Sequence, residues 1–360
     1  MKTLNKYLIG RFSVWLLVVL VGFGAVALLG DFLEMLSFVN RFDLGTGAAI
    51  GFTLQRLPLI ILDFLPFIFL FGTVFCLLRL SQTQELAVIR AAGLSVWQFL
   101  TPLLVFTFIT ASLVVAVLEP IGALSMANFS AKQAEVTGIK AKLSFSTDGI
   151  WFRENNQQSN YIVHSQKLDP QDAARLLKVA VTVINEDGTF NRHLEAASAQ
   201  LFNGVFILQD VKIFTGTRLP QIKEQVILPT QLTLASMQNS FKPPRTIGLW
   251  KLPTYIAQAR EAGMDVSRHE AHFQSLLALP ILLLSMVMVA ACFSLPTGRI
   301  FSTSQTLGFS ILCGFLLFIV NDVIGLMAEL NILPAIMASW MPALIALLLS
   351  VSYLLTTEDG

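Results

Sequence analysis

The sequence predicts a membrane α-helical protein. Six transmembrane helices are split into two sets of three by an inserted all-β, jelly-roll-like domain. Three observations carry this expectation. Charged residues make up 13% of the 360 positions and hydrophobic residues 54%, whereas soluble proteins carry about 25% charge. The charges are also segregated, with 13 in 1–122, 29 in 123–270 and 5 in 271–360. The outer blocks break into apolar runs of about 20 residues, the length that crosses a bilayer, while the middle block alternates with period two. The expected division is 1–122 with spans one to three, 123–270 as a water-exposed domain, and 271–360 with spans four to six.

The first span is read at Phe12–Leu29, which is free of charge and follows Lys2, Lys6 and Arg11. A basic start before an apolar run also describes a signal peptide, but this run is long for one and further spans follow. The second span lies within Leu57–Leu80, interrupted by Asp63 and carrying Pro58 and Pro66. The third runs from Trp97 to Leu118. The last three are Phe273–Leu295, Ile300–Met327 and Ile332–Leu355. Basic residues in short loops favour the inner face. With both termini inside, that face holds Lys2, Lys6, Arg11, Arg79, Arg90 and Arg299, and the outer loops only Arg41 and Arg56. The middle block then lies outside, in the periplasm of a bacterium.

In that block Leu177, Val179, Val181 and Val183 alternate with Lys178, Ala180 and Thr182, the mark of a half-buried strand. Similar runs stand at Gly149–Phe152, Tyr161–His164, Leu201–Phe214 and Glu224–Leu228. Asp187-Gly188, Asn203-Gly204 and Thr215-Gly216 supply turns. Many short strands with polar turns suggest a sandwich or open jelly roll. Helical connectors are read at Met126–Thr137 and Leu252–Ala262.

Several chemistries are disfavoured. A net charge of +1 gives no basic face for nucleic acid. Cys76, Cys292 and Cys313 all sit in apolar runs, which excludes a small secreted disulfide framework. No Gly-Lys pair occurs, so the phosphate loop G-x-x-x-x-G-K-[ST] is missing and no ATPase site is read. His269-Glu270-Ala271-His272 lacks the H-E-x-x-H spacing of a membrane zinc site, and no Ser or Asp pairs with a His in a hydrolase pattern. No catalytic residue, metal or cofactor is assigned. A lipid-modifying membrane enzyme and a ligand-sensing β domain are the alternatives in other classes.

The most informative segment is Ser81–Ser95, between spans two and three. Ser81 with Gln84 fits a capping box. Leu86 and Ile89 share one helical face, and Gly93 can end the helix in a left-handed conformation. Such a helix either rests on headgroups or docks in the groove of a cytoplasmic motor.

Three spans, a β domain and three spans, with Glu85-Leu86-Ala87-Val88-Ile89-Arg90-Ala91-Ala92-Gly93 after the second span, resemble the LptF/LptG family of permeases and its E-L-x-V-x-x-x-x-G coupling helix. Leu228-Pro229-Thr230, Tyr255-Ile256 with Gly263-Met264-Asp265, and Leu333-Pro334 with Trp340-Met341-Pro342 look more like the LptG branch than the LptF branch. The resemblance covers the whole chain. It implies a permease subunit that extracts lipopolysaccharide from the outer leaflet of the inner membrane. The implied partners are an LptF-like second permease, an LptB-like ATPase dimer and an LptC-like periplasmic protein. Gln84, Glu85, Leu86, Val88, Ile89, Arg90 and Gly93 would form the ATPase-coupling helix.

An amphiphile with several acyl chains needs an apolar cavity, since each buried CH₂ is worth about 0.8 kcal/mol. The Phe-rich second span (Phe64, Phe67, Phe69, Phe71, Phe75) and fifth span (Phe309, Phe315, Phe318) can line one. Phe67, Phe71, Phe315 and Phe318 are the candidates, with Arg41 and Arg56 for the anionic head. Gly22, Gly24, Gly308 and Gly314 allow close helix approach. The family often carries lysines at the outer end of the first span. Here that stretch holds Asp31 and Glu34 before Arg41. Asp63 and Asp322 are costly inside an apolar span and are either functional or near the outer interface.

Overall fold

A computed structural model of the chain describes all residues except 1, 137–142, 147–148, 157–158, 170–171, 186–188, 203, 216–219, 231–242, 262–264, 296–302 and 359–360. The turn Asp187-Gly188, Gly216 and the inner-loop Arg299 therefore lie outside the described residues. The chain divides into two compact units, one of Met1–Ser130, Pro244–Leu252 and Ser267–Gly360 and one of Ala131–Pro243 and Pro253–Val266. Residues 123–130 and 244–252, read from sequence with the soluble block, thus belong to the helical unit.

Among the described residues six helices are long and apolar enough to cross a membrane. α1 (Lys2–Arg41) and α2 (Thr46–Gln82) form an antiparallel hairpin. Each is far longer than its apolar run. Forty residues of α1 measure about 60 Å, twice the hydrocarbon thickness of about 30 Å, so both ends leave the apolar layer. Asp43, with φ 56°, turns the chain in the left-handed region that Asp tolerates.

The short α3 (Glu85–Ala91) leads into α4 (Val96–Leu113). A π turn at Val114–Leu118 joins α4 to α5 (Glu119–Val136). Pro120 explains that turn. It has no N–H to offer the Ala116 carbonyl, and the wider turn leaves this oxygen to the Trp250 indole N–H, which donates at 3.2 Å. The buried Glu119 accepts the Leu249 amide at 2.8 Å. A short 3₁₀ turn at Pro244–Thr246 precedes this strap.

After α6 (Leu252–Glu261) come α7 (Ser267–Ser294), α8 (Thr303–Glu329) and α9 (Ala335–Glu358). α7 is the most enclosed span, whereas α1 and α8 are mostly exposed within this chain.

The second unit contains seven strands in one antiparallel meander. They are β1 (Leu143–Ser146), β2 (Gly149–Asn156), β3 (Ser159–Asp169), β4 (Asp172–Ile184), β5 (Phe190–Phe202), β6 (Val205–Phe214) and β7 (Gln221–Pro229). The sheet curls over its own core. The rings of Phe152 of β2 and Phe206 of β6 meet with centroids 5.3 Å apart, although four strand spacings in a flat sheet are about 19 Å. The Tyr161 hydroxyl likewise donates to the Pro229 carbonyl at 2.6 Å, linking β3 to the end of β7. Gly204, at φ 79°, lies between β5 and β6, while Asn203 of the expected turn lies outside the described residues.

The alternation read at 177–183 changes phase. Lys178 and Asp210 have φ 51° and 54°, and the paired rows skip from Leu177 to Val179 and from Gln209 to Val211. Leu176 rather than Leu177 is therefore buried with Val179 and Val181. Local irregularities of this kind increase bend and twist, and here they help the sheet to curl.

Candidate functional site

Two places in the helical unit gather the predicted residues. The first is the end of the bundle where α3 lies. Gln84, with φ 60° and ψ 10°, occupies the left-handed region and makes no side-chain cap. The Ser81–Gln84 capping box is therefore absent, because α2 continues through Ser81 to Gln82. The box forms one helix later, where Ser95 Oγ accepts the Gln98 amide at 3.3 Å and Gln98 Oε1 accepts the Ser95 amide at 3.4 Å. Gly93 ends α3 at φ 80°, as expected. Its amide donates to the Arg90 carbonyl and the Leu94 amide to the Ile89 carbonyl, a paired closure typical of helix ends.

Leu86 and Ile89 are buried within the chain, while Val88 is 68% exposed. The face that Leu86 and Ile89 share therefore looks into the chain. In a helix of two turns the apolar pair serves its own bundle, and the open face holds Gln84, Ala87, Val88 and Ala91. Glu85 is tied to α1. It accepts the Tyr7 hydroxyl at 2.7 Å and the Thr83 hydroxyl at 3.0 Å, and Arg11 approaches to 3.7 Å. Arg11 also donates to Tyr7 at 3.0 Å. The angle of α3 is thereby linked to α1 and α2.

The second place is the α1–α2–α8 seam. Phe67 is its hinge. Its ring lies 6.4 Å from Phe23 of α1 and 6.3 and 4.6 Å from Phe315 and Phe318 of α8. Phe71 meets Phe23 at 5.2 Å and Phe64 meets it at 6.2 Å. The four candidate rings thus come together, and Phe23, which sequence reasoning missed, joins α1 to them. Phe69 belongs elsewhere. It is buried against Phe12, which also meets Phe106 of α4.

Of the four glycines read as close-approach sites, only Gly314 has a tight neighbour, Leu70 of α2; Gly22, Gly24 and Gly308 face open space within this chain. Gly72 against Leu16, Gly122 against Leu59 and Gly248 against Pro120 are the other close approaches among the described residues. A side chain at Gly314 would force α8 from α2 along the Phe seam. Gly314→Leu is expected to cost about 1–3 kcal/mol by overpacking and to lower the melting midpoint of the detergent-purified chain, whereas Gly308→Leu leaves it unchanged.

At the far tip of the α1–α2 hairpin the acidic stretch has a partner. Arg56 Nη1 lies 3.1 Å from Asp31 Oδ1 and 3.4 Å from Glu34 Oε1, and its guanidinium sits 5.5 Å over the Phe129 ring. Asp31 is buried. Arg56, a sequence candidate for the anionic head, is thus engaged by two carboxylates of its own chain. Arg41 is exposed and carries no ion pair among the described residues. Asp63 pairs with Arg245 at 2.8 Å, both half-exposed. Asp63 lies about 28 Å along α2 from Gln82, about one hydrocarbon thickness. Asp322 is exposed on α8.

The described residues contain no group of three or more His, Cys, Asp or Glu able to hold a metal. What the arrangement offers is an aromatic seam joining α1, α2 and α8, with a short helix tied to one end of the α1–α2 hairpin.

The family pattern described as lipopolysaccharide export system permease LptF/LptG matches residues 6–356. A Haemophilus influenzae protein, the lipopolysaccharide export system permease protein LptG, is 24% identical over 346 residues, spanning 91% of this chain and 90% of that protein. With six apolar spans, an inserted β unit and a match over nearly its whole length, the chain belongs to the LptF/LptG family and is a multi-pass inner-membrane subunit of a lipopolysaccharide export system.

Proposed function

We propose that this chain is the LptG-like permease subunit. It pairs with an LptF-like subunit, is driven by an LptB-like ATPase dimer docked on α3, and passes lipopolysaccharide from the outer leaflet through its β unit to an LptC-like protein. The observation that carries the reading is the hairpin α1–α2. One end bears Tyr7, Arg11 and the Glu85 of α3, and the Phe23–Phe67–Phe318 seam lies along its length. A push on α3 therefore reaches the helices that would hold acyl chains. The relative named above, an LptG, favours this role over the LptF-like one.

In this reading both termini and α3 lie in the cytoplasm and the β unit in the periplasm, which the excess of Lys and Arg on the inner loops supports. Arg41 is the candidate contact for the anionic head, and Phe67, Phe71, Phe315 and Phe318 for the acyl chains. The sheet's edges among the described strands are β1 and β7, and an edge offers unpaired amides and carbonyls to a partner strand. In a Cys313→Ser background, a cysteine at Glu224 of β7 is expected to react with an impermeant thiol reagent added to intact spheroplasts, and one at Val88 only after lysis. The opposite pattern would overturn this orientation. The assembly itself is tested by mild-detergent purification. An ATPase and a second permease should co-purify, and their absence from a stable chain would remove the reading.

A further inference from the structure

A short piece of the helical unit interrupts the other one in sequence. A domain inserted between two spans needs two chain crossings. This chain makes four, because Pro244–Leu252 leaves the second unit after Pro243 and returns to it at Pro253. The excursion is packed rather than loose. Ile247, Leu249 and Leu252 are buried, and a Cβ added at Gly248 would lie 3.3 Å from Pro120 Cα.

Two kinds of contact hold this strap. At one end Arg245 pairs with Asp63 of α2 at 2.8 Å, with both side chains about half exposed. Asp63 stands one helical turn before Phe67, the ring at the centre of the aromatic seam. At the other end Glu119 Oε2 accepts the Leu249 amide at 2.8 Å, and the Trp250 indole donates to the Ala116 carbonyl at 3.2 Å. Glu119 is 1% exposed, and its Oε1 has no hydrogen-bond partner among the described residues. A buried carboxylate is costly unless hydrogen bonds engage it, and what engages this one is the strap. Exposed ion pairs are weak and screened by salt, whereas a hydrogen bond to a buried charge is strong. The strap therefore has a firm end on the third span and a soft end on α2.

We propose that Glu119 is a positioning residue for export. It anchors Pro244–Leu252 to the third span, so that movement of α2 beside Phe67 breaks and remakes only the Arg245 pair, while movement of the third span is carried along the chain into the β unit at Pro243 and Pro253. This role rests on the export reading above and adds the route by which the spans drive the β unit.

The test uses the full chain in its purified assembly, reconstituted in lipopolysaccharide-loaded vesicles. A Cβ at position 248 would lie 3.9 Å from that of Ala123, the separation of a disulfide, so closure of the pair Ala123→Cys with Gly248→Cys reports a seated strap. Added to this pair, Glu119→Ala is expected to slow closure about tenfold, the factor that one hydrogen bond to a charged group is worth. Glu119→Gln keeps an acceptor oxygen and stays close to the parent. Hydrogen exchange at the Leu249 amide gives the same order without cysteines, should the cysteine pair assemble poorly. Lipopolysaccharide release is expected to fall in Glu119→Ala and to return in Glu119→Gln, while ATP hydrolysis is retained in both. Unchanged closure and exchange in Glu119→Ala, or a Glu119→Gln as loose as Glu119→Ala, would overturn the anchor. Wild-type release from a Glu119→Ala complex with a loosened strap would overturn its role in export. Release and hydrolysis lost together would make Glu119 a residue of the fold alone and overturn it too. If the wild-type assembly itself releases no lipopolysaccharide, the export reading falls, while closure and exchange still decide whether Glu119 holds the strap.

Discussion

Replacing Glu85 by Arg is expected to remove most lipopolysaccharide-stimulated ATP hydrolysis while the chain still inserts and assembles. Glu85 accepts hydroxyls from Tyr7 and Thr83 and faces Arg11. Hydrogen bonds to a charged group are worth about 1.5–3 kcal/mol each, and loss of even one corresponds to roughly tenfold or more in a coupled rate. An arginine there makes none of these contacts and sets a second cation against Arg11. The short helix loses its tie to α1 while keeping its packing through Leu86 and Ile89. Tyr7→Phe separates two routes to the same defect. It deletes one hydroxyl bond without altering the open face of α3, so a partial loss of coupling in Tyr7→Phe locates the effect in the internal tie. A silent Tyr7→Phe beside a severe Glu85→Arg locates it at the ATPase contact. Stimulated hydrolysis at the wild-type rate in Glu85→Arg vesicles would show that the carboxylate has no part in coupling.

The outline of the molecule was legible because its signals are local. Apolar runs of bilayer length and period-two alternation each lie within about 20 residues, and all six spans and most strands were found from them. What was missed needed distance. Asp31 and Arg56 meet only because two long helices run antiparallel in one register, which neither segment reveals alone. Leu86 and Ile89 were placed on one face correctly, but nothing within a short amphipathic stretch says whether that face looks into the protein or away. The phase change at Lys178 was hidden because Leu176 and Leu177 are both leucine, so either could be the buried one. Glycines are similar. Gly72 packs on Leu16 and Gly314 on Leu70, while Gly22 and Gly308 face open space, and a bare Gly in an apolar run carries no mark of the difference.

Arg56→Glu is expected to destabilise the α1–α2 hairpin severely, whereas Arg41→Glu leaves the fold intact. In the first variant a third carboxylate joins Asp31 and Glu34, and the buried Asp31 loses its only cation among the described residues. Removing one partner of a buried pair costs about 3–5 kcal/mol, enough to lower the melting midpoint and the yield of assembled complex. The paired change Asp31→Asn with Arg56→Gln removes both charges and is expected to recover most of that loss, which a direct contact between Arg56 and lipid phosphate would not allow. Arg41 is exposed and unpaired among the described residues, so its reversal should move stability by no more than about 0.5 kcal/mol. A drop in lipopolysaccharide release from vesicles carrying Arg41→Glu would then report the anionic head itself, since a guanidinium–phosphate pair is among the stronger polar contacts. If release is unchanged in Arg41→Glu while Arg56→Glu folds and assembles normally, the hairpin tip neither holds the head nor needs its ion pair. The acidic stretch at Asp31 and Glu34 would then need another explanation than the cation it now surrounds.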